Sequence, residues 1–301
     1  MNNAIPAWTT LVDVAALAAV LGHDGTRVID ARATASTAVR VVDARFSLAD
    51  PQSGAAAYAQ GHIPGALHAD LNADLADLGR HGHGRHPLPD SAAFAATLGR
   101  WGIGEDTQVV VYDAADGSMA AARLWWLLRL LGHARVAVLD GGLAAWQAAG
   151  LPLSTAVPDV AALPAHPGQF DRDQIASVDE VASRLKHAPG WLLDARAGER
   201  FRGEVEPLDP VAGHVPGAVN RPFALNVHEG RLRPAADLRA ALQPLIGAHD
   251  PRQVVVMCGS GVTACHLLLA MEVAGLHGAK IYADSWSGWV ADSSRPVATG
   301  A

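Results

Sequence analysis

Cys258 directly follows the apolar run Val254-Val255-Val256-Met257. It opens the loop Gly259-Ser260-Gly261-Val262-Thr263, after which an apolar stretch of helical length runs from Ala264 to Ala274. A short β-branched run reads as a buried parallel strand, and the stretch beyond the loop reads as a helix. The thiol is therefore placed at the carboxyl end of a strand, in a tight turn feeding a helix N-terminus, where ligands and chemistry concentrate in open α/β sheets. Gly259 and Gly261 let the backbone curl so that several N–H groups face one point. Those donors and the helix dipole favour the thiolate, the nucleophilic form of cysteine. The chemistry expected is covalent catalysis through sulfur. Cys265, inside the helical stretch and without a glycine beside it, is expected to be an inert packed thiol.

The elements that position this loop occur twice. Gly61-His62-Ile63-Pro64-Gly65-Ala66 returns as Gly213-His214-Val215-Pro216-Gly217-Ala218, and Val41-Val42-Asp43-Ala44-Arg45 returns as Leu192-Leu193-Asp194-Ala195-Arg196. Gln108-Val109-Val110-Val111 returns as Gln253-Val254-Val255-Val256, and Trp146 and Trp289 close the two copies. Ordered matches of this kind mark a tandem duplication. Strands and helices alternate within each copy, which predicts an α/β fold with a mainly parallel sheet flanked by helices. The proline-bearing segment between the copies reads as an extended linker. Arg27-Val28-Ile29-Asp30-Ala31-Arg32 nearly duplicates Arg40 to Arg45, and only the second fits the repeat offset. The offset also aligns Asp113 with Cys258. A carboxylate cannot carry sulfur as a thiolate does, so the first copy is expected to be a non-catalytic scaffold. Both copies keep Gly-His-x-Pro-Gly, so its histidine is expected to be structural, buried or capping a turn.

Composition limits the alternatives. The chain has 301 residues, half of them apolar, and a net charge of −7. That length suits two domains of about 150 residues. The charge gives no basic stripe for nucleic acid. Two cysteines are too few for a disulfide framework, which points to a reducing compartment. Neither a signal peptide nor an apolar run of membrane-spanning length is evident, and the cytoplasm is the expected location.

The duplicated layout, both Gly-His-x-Pro-Gly turns and the unit from the Val254 strand through Cys258-Gly-Ser-Gly-Val-Thr263 resemble the rhodanese superfamily over essentially the whole chain. Tyr112-Asp113-Ala114, Arg123-Leu124-Trp125-Trp126 and Ser285-Trp286-Ser287-Gly288-Trp289 carry the same resemblance. It implies two tandem rhodanese-like domains: a non-catalytic one at 1–150, a linker at 151–172 and a catalytic one at 173–301. It also implies a sulfurtransferase in which Cys258 holds a persulfide, with a small-molecule sulfur donor and a thiol, thioredoxin-like or cyanide acceptor. No cofactor or metal is implied. The loop is similar to those of the mercaptopyruvate-using members, because Gly259 and Ser260 stand where thiosulfate-using members place Arg and Lys. Thiosulfate is the alternative donor, and a sulfur-carrier or regulatory binding module is the non-enzymatic alternative.

The resemblance implies further roles. Ser260 and Thr263 join the loop N–H groups of Gly259, Gly261 and Val262 in stabilising anionic sulfur. Arg200 matches an arginine that receives the donor carboxylate, and Arg202 is a second candidate nearby. A further arginine expected after Glu206-Pro207 is replaced by Leu208-Asp209. His86 matches a histidine near the site, and Asn72 stands where its acidic partner would be. The histidines of the segment from Arg80 to His86 alternate with glycine and offer no fixed geometry for a metal. A cysteine phosphatase would need an arginine six residues after the nucleophile to grip an oxyanion; that position is Ala264, which excludes the class.

Overall fold

The β-branched runs of both copies become central parallel strands, each ending at the residues singled out above. The computed structural model of the protein describes residues 7–22 and 39–300; the near-duplicate Arg27 to Arg32 lies outside them. The chain divides into two units, the first reaching Leu75 and resuming at Pro89–Phe170, the second comprising Ala76–Leu88 and everything from Asp171 onward. The segment Ala76–Leu88, part of the first copy in sequence, thus packs with the second.

In the first unit, β1 (Leu11–Val12), α1 (Val14–Val20), β2 (Val39–Asp43), α2 (Ser53–Gln60), β3 (Leu67–His68), α3 (Ser91–Arg100), β4 (Gln108–Tyr112), α4 (Ala120–Leu130), β5 (Val136–Leu139) and α5 (Gly142–Ala148) follow one another. They give a parallel sheet of order β1-β5-β4-β2-β3. Burial on both faces explains the unbroken apolar run of β4, every residue of which is buried. The second unit runs α6 (Val178–Ser183), β6 (Leu192–Asp194), α7 (Gly198–Phe201), β7 (Val219–Asn220), a small hairpin of β8 (Val227–His228) and β9 (Arg231–Leu232), α8 (Ala235–Ile246), β10 (Val255–Met257), α9 (Thr263–Val273), β11 (Lys280–Ile281) and α10 (Ser285–Trp289). Its sheet order is β11-β10-β6-β7, and Ile175 bridges Ile281 in parallel where β1 pairs with β5 in the other unit. The duplication seen in sequence is thus a duplication of topology.

The repeated motifs have one structural cause. In each unit the arginine of Asp-Ala-Arg folds back on its own aspartate (Arg45 Nη2 to Asp43 at 2.6 Å, Arg196 Nη2 to Asp194 at 2.7 Å). The same Nη2 donates to the carbonyl of the Gly-His turn, at Gly61 (2.7 Å) and Gly213 (2.8 Å). Each histidine donates through Nδ1 to a carbonyl, His62 to Tyr58 (2.9 Å) and His214 to Phe201 (2.8 Å). Each also stacks on that residue's ring, with centroids 3.9 and 3.8 Å apart. The tail of each copy then pairs with the histidine backbone, at Ser154 and Ala298. The turn is therefore a structural latch, as its presence in both copies implied.

A buried histidine pair in the first unit predicts acid sensitivity. The Gly168 N–H donates to His166 Nδ1 (3.1 Å), which leaves His166 Nε2–H to donate to His133 Nδ1 (3.3 Å) and His133 Nε2–H to donate to the Thr107 carbonyl (2.9 Å). This relay requires both rings to be neutral. Burial, then the adjacent His166, push His133 down to about 4 from 6.5. A base with a depressed folded-state pKa contributes stability that is fully present above 6.5 and is lost as pH falls toward 4. His133→Gln is expected to remove about one proton's worth of slope from stability against pH in that window. Urea unfolding of both proteins at stepped pH checks this, and parallel curves would refute it.

Candidate active site

Strand β10 delivers Cys258 to its carboxyl end, where Ala195 N–H donates to the Met257 carbonyl (2.8 Å) just as Ala44 N–H donates to Tyr112 O (2.8 Å) before Asp113. Register thus confirms that Asp113 and Cys258 occupy equivalent places. In the first unit the Asp113 carboxylate closes its own loop, accepting from the N–H groups of Gly117 (2.9 Å), Ala115 (3.2 Å) and Met119 (3.2 Å). Burial raises its carboxyl to about 6, although those N–H donors pull it the other way. The turn at this point of the fold therefore holds an anion by backbone amides.

In the second unit Cys258 is buried, its N–H donates to Ser285 Oγ (3.1 Å), and its carbonyl accepts from Trp286 N–H (3.0 Å). Gly261 has φ +77°, and a side chain there would meet the Ala283 carbonyl at 2.3 Å, so only glycine carries the loop past that backbone. Val262 caps α9 without a side-chain bond, and Thr263 is the first residue inside the helix rather than its N-cap. Cys265 is buried, and its thiol donates to the Gly261 carbonyl (3.2 Å), bracing the loop from below.

The other expected residues divide into two sets. Ser260, 5 % exposed, lies 2.8 Å from His86 Nδ1, so the segment Ala76–Leu88 brings this histidine to the loop. Arg200 reaches the loop from α7: a methyl group on Gly259 would lie 3.5 Å from its Nη1. Glu206 holds Arg200 in place, accepting from Nη2 (2.6 Å) and Nε (3.2 Å). Burial pushes the Glu206 carboxyl up, but the bond from Arg200, the backbone donors at Leu208 and Asp209 and the arginine's charge outweigh it and leave it below its ordinary value. Arg202 is not brought to the loop; it is exposed, packs against Gly198 and pairs with Glu204 (2.7 and 2.9 Å). Asn72 belongs to the first unit, where its N–H donates to Asp70 (2.7 Å). Among the described residues no cluster of three metal-ligating side chains is gathered, and His83 instead pairs with Asp284 at 3.2 Å.

Two residues at the loop escaped the sequence reading. Arg85 lies closest to Gly259, with Nη2 at 3.0 Å from the position of a methyl group, and it pairs with buried Asp209. No local pattern marks it, because its place follows from a segment of the first copy that packs with the second unit. Ser285 has φ +52°, a left-handed conformation unusual for a residue other than glycine, and its hydroxyl both accepts from Cys258 N–H and donates to the Tyr282 carbonyl (2.9 Å). Its counterpart is Gly142 at φ +54°. The repeat held that signal: a glycine in the first copy is replaced by a left-handed serine bonded to the Cys258 N–H.

The rhodanese-like domain model matches residues 15–149 and 177–292. A Pseudomonas aeruginosa protein named "Probable 3-mercaptopyruvate sulfurtransferase" is 48% identical over 267 residues, covering 86% of this chain and 92% of that one. A Mycobacterium tuberculosis relative that carries the name of a thiosulfate sulfurtransferase is 42% identical, covering 87% and 91%. The solved 3-mercaptopyruvate sulfurtransferase from Leishmania major superposes with a TM-score of 0.78 at 31% identity, over 93% of this chain and 73% of that one. Two matching domains, a shared topology and relatives of this similarity lead to one conclusion: this chain belongs to the rhodanese family and is a sulfurtransferase.

Proposed function

We propose that the protein moves sulfane sulfur from 3-mercaptopyruvate to a thiol, a thioredoxin-like dithiol or cyanide through a persulfide on Cys258. The observation that carries this reading is the Arg200 guanidinium beside Gly259, the residue next to the buried Cys258. A cation there suits a donor whose carboxylate lies two carbons from its sulfur. The Cys258 thiolate attacks the donor sulfur, the carbon–sulfur bond breaks, and its electron pair leaves as the enolate of pyruvate. The hydrogen-bonded pair of Ser260 and His86 supplies the proton that turns the enolate into pyruvate. The sulfur stays as Cys258–S–SH until an acceptor thiolate or cyanide attacks its outer atom and restores the Cys258 thiolate. Loop N–H groups, with Thr263 at the helix start, stabilise the negative charge on sulfur.

The Mycobacterium tuberculosis relative's name supports thiosulfate as the second reading. Steady-state turnover with each donor and cyanide as common acceptor separates the two. Mercaptopyruvate is expected to have the higher kcat/KM by at least about tenfold, the scale of about 1.4 kcal/mol of differential binding. A preference of that size for thiosulfate would overturn the donor assignment while leaving the reaction class intact.

A further inference from the structure

We propose that Arg85 is a substrate-binding residue that, with Arg200, forms a two-guanidinium clamp on the donor carboxylate, held ready by Asp209 as their common counter-ion. This rests on the proposed use of an α-keto acid donor and names the groups that would select it.

Two guanidinium groups from separate parts of the second unit meet over Gly259, the residue next to the thiol. A methyl group there would lie 3.0 Å from Arg85 Nη2, 3.5 Å from Arg200 Nη1 and 3.6 Å from Arg200 Nη2. Like charges this close repel unless a carboxylate lies between them. Asp209, 3% exposed, fills that place by pairing with Arg85 Nη1 and, at 3.4 Å, with Arg200 Nη2. Glu206 takes the Nε edge of Arg200, and among the described residues its Nη1 makes no bond on the loop side.

Arg85 is less fully used. Among the described residues, Asp209 takes its Nη1, its Nε is buried with no hydrogen-bond partner, and its Nη2 makes no bond. Chains rarely bury a guanidinium nitrogen without a partner, and such a group asks for an explanation. The backbone, by contrast, is held firmly. Arg85 N–H donates to Ser287 Oγ (3.0 Å), and Gly84 comes so close to the Asp284 carbonyl that a side chain would meet it at 2.5 Å. The main chain is thus pinned to α10 while the side chain is aimed at the cysteine loop. A carboxylate offers about four lone-pair sites, and guanidinium forks fit it in a way a lysine does not. Arg202, engaged with Glu204 and exposed, takes no part.

The test uses the full chain with 3-mercaptopyruvate, comparing wild type, Arg85→Ala, Arg85→Lys and Arg202→Ala. Arg85→Ala is expected to raise KM on the order of 10- to 100-fold, the scale of one charge-assisted bond, with kcat within about threefold because the reacting atoms are unchanged. Arg85→Lys recovers part of the loss, and Arg202→Ala leaves KM unchanged. The second half-reaction is the control for a merely structural role: enzyme loaded at saturating donor is mixed with cyanide, which has no carboxylate, and discharge is expected at the wild-type rate in every variant. An unchanged KM in Arg85→Ala overturns the clamp, and so does an equal loss in both half-reactions. Failure of wild type to gain sulfur from either donor would instead overturn the proposed function, so the two failures are distinct.

Discussion

Cys258→Ser abolishes sulfur transfer, with an expected loss of at least about 10,000-fold, the scale seen when a covalent nucleophile is removed. The hydroxyl of serine is a poor nucleophile toward sulfur, and the His86 ring is engaged with Ser260. The fold should survive the change. The bonds that seat residue 258 are made by its main chain, to Ser285 Oγ and from Trp286 N–H, and serine preserves both. Intact-mass measurement after exposure to 3-mercaptopyruvate is therefore expected to find one added sulfur on wild type and none on Cys258→Ser. Cys265→Ser should gain sulfur like wild type, because the Cys265 thiol is buried and turned to the Gly261 carbonyl. An adduct that persists in Cys258→Ser and maps to Cys265 would sink the assignment of the nucleophile.

Arg196→Ala should be the most destabilising single truncation in the second unit, by about 3–5 kcal/mol, the range for removing one member of a buried ion pair. Asp194 is fully buried and depends on Arg196 for its charge partner, through Nε and Nη2 at 2.7–3.2 Å. Alanine would leave that carboxylate without its charge partner, keeping only the backbone N–H of residue 196 (3.0 Å). It would also free the Gly213 carbonyl, remove the ion pair to Glu206 (3.5 Å) and take away the cation stacked 4.6 Å from Trp286. Those last two contacts link the strand end to the site, since Glu206 holds Arg200 and Trp286 N–H holds the Cys258 carbonyl. Activity should therefore fall along with stability. The equivalent Arg45→Ala breaks the same latch in the first unit, where the arginine is 12% exposed and joins Asp43 to the Gly61 carbonyl. It is expected to cost less and to spare turnover at temperatures where the protein stays folded. Urea midpoints and turnover of the two variants check this, and equal midpoint and activity losses would refute the asymmetry.

Much of the fold was legible before any coordinates. Parallel strands buried on both faces must be written as unbroken apolar runs, and Val109 to Val111 and Val254 to Val256 are such runs. The latch of Asp-Ala-Arg and Gly-His-x-Pro-Gly needs the same side chains wherever it is used, so two latches left two copies of one text. The cysteine loop was legible for a similar reason: Gly261 must take a left-handed turn against Ala283, and no other residue fits. Ser285 could have been found by comparing the copies, since its partner Gly142 shares its conformation.

The arginines were a harder matter. Sequence neighbours such as Arg200 and Arg202 are two residues apart, yet α7 turns the first to the cysteine loop and leaves the second to Glu204 at the surface. Sequence alone determined the duplicated α/β architecture and, through its resemblance, the reaction class, because backbone geometry and buried strands tolerate few residue types. Only the tertiary structure decided which cations accompany the thiol. Segment Ala76–Leu88 leaves its own copy and sets Arg85 and His86 against the loop, and Asp209 anchors Arg85 there. Charge pairing acts through space between residues more than a hundred positions apart, and nothing in the spacing of the chain records it.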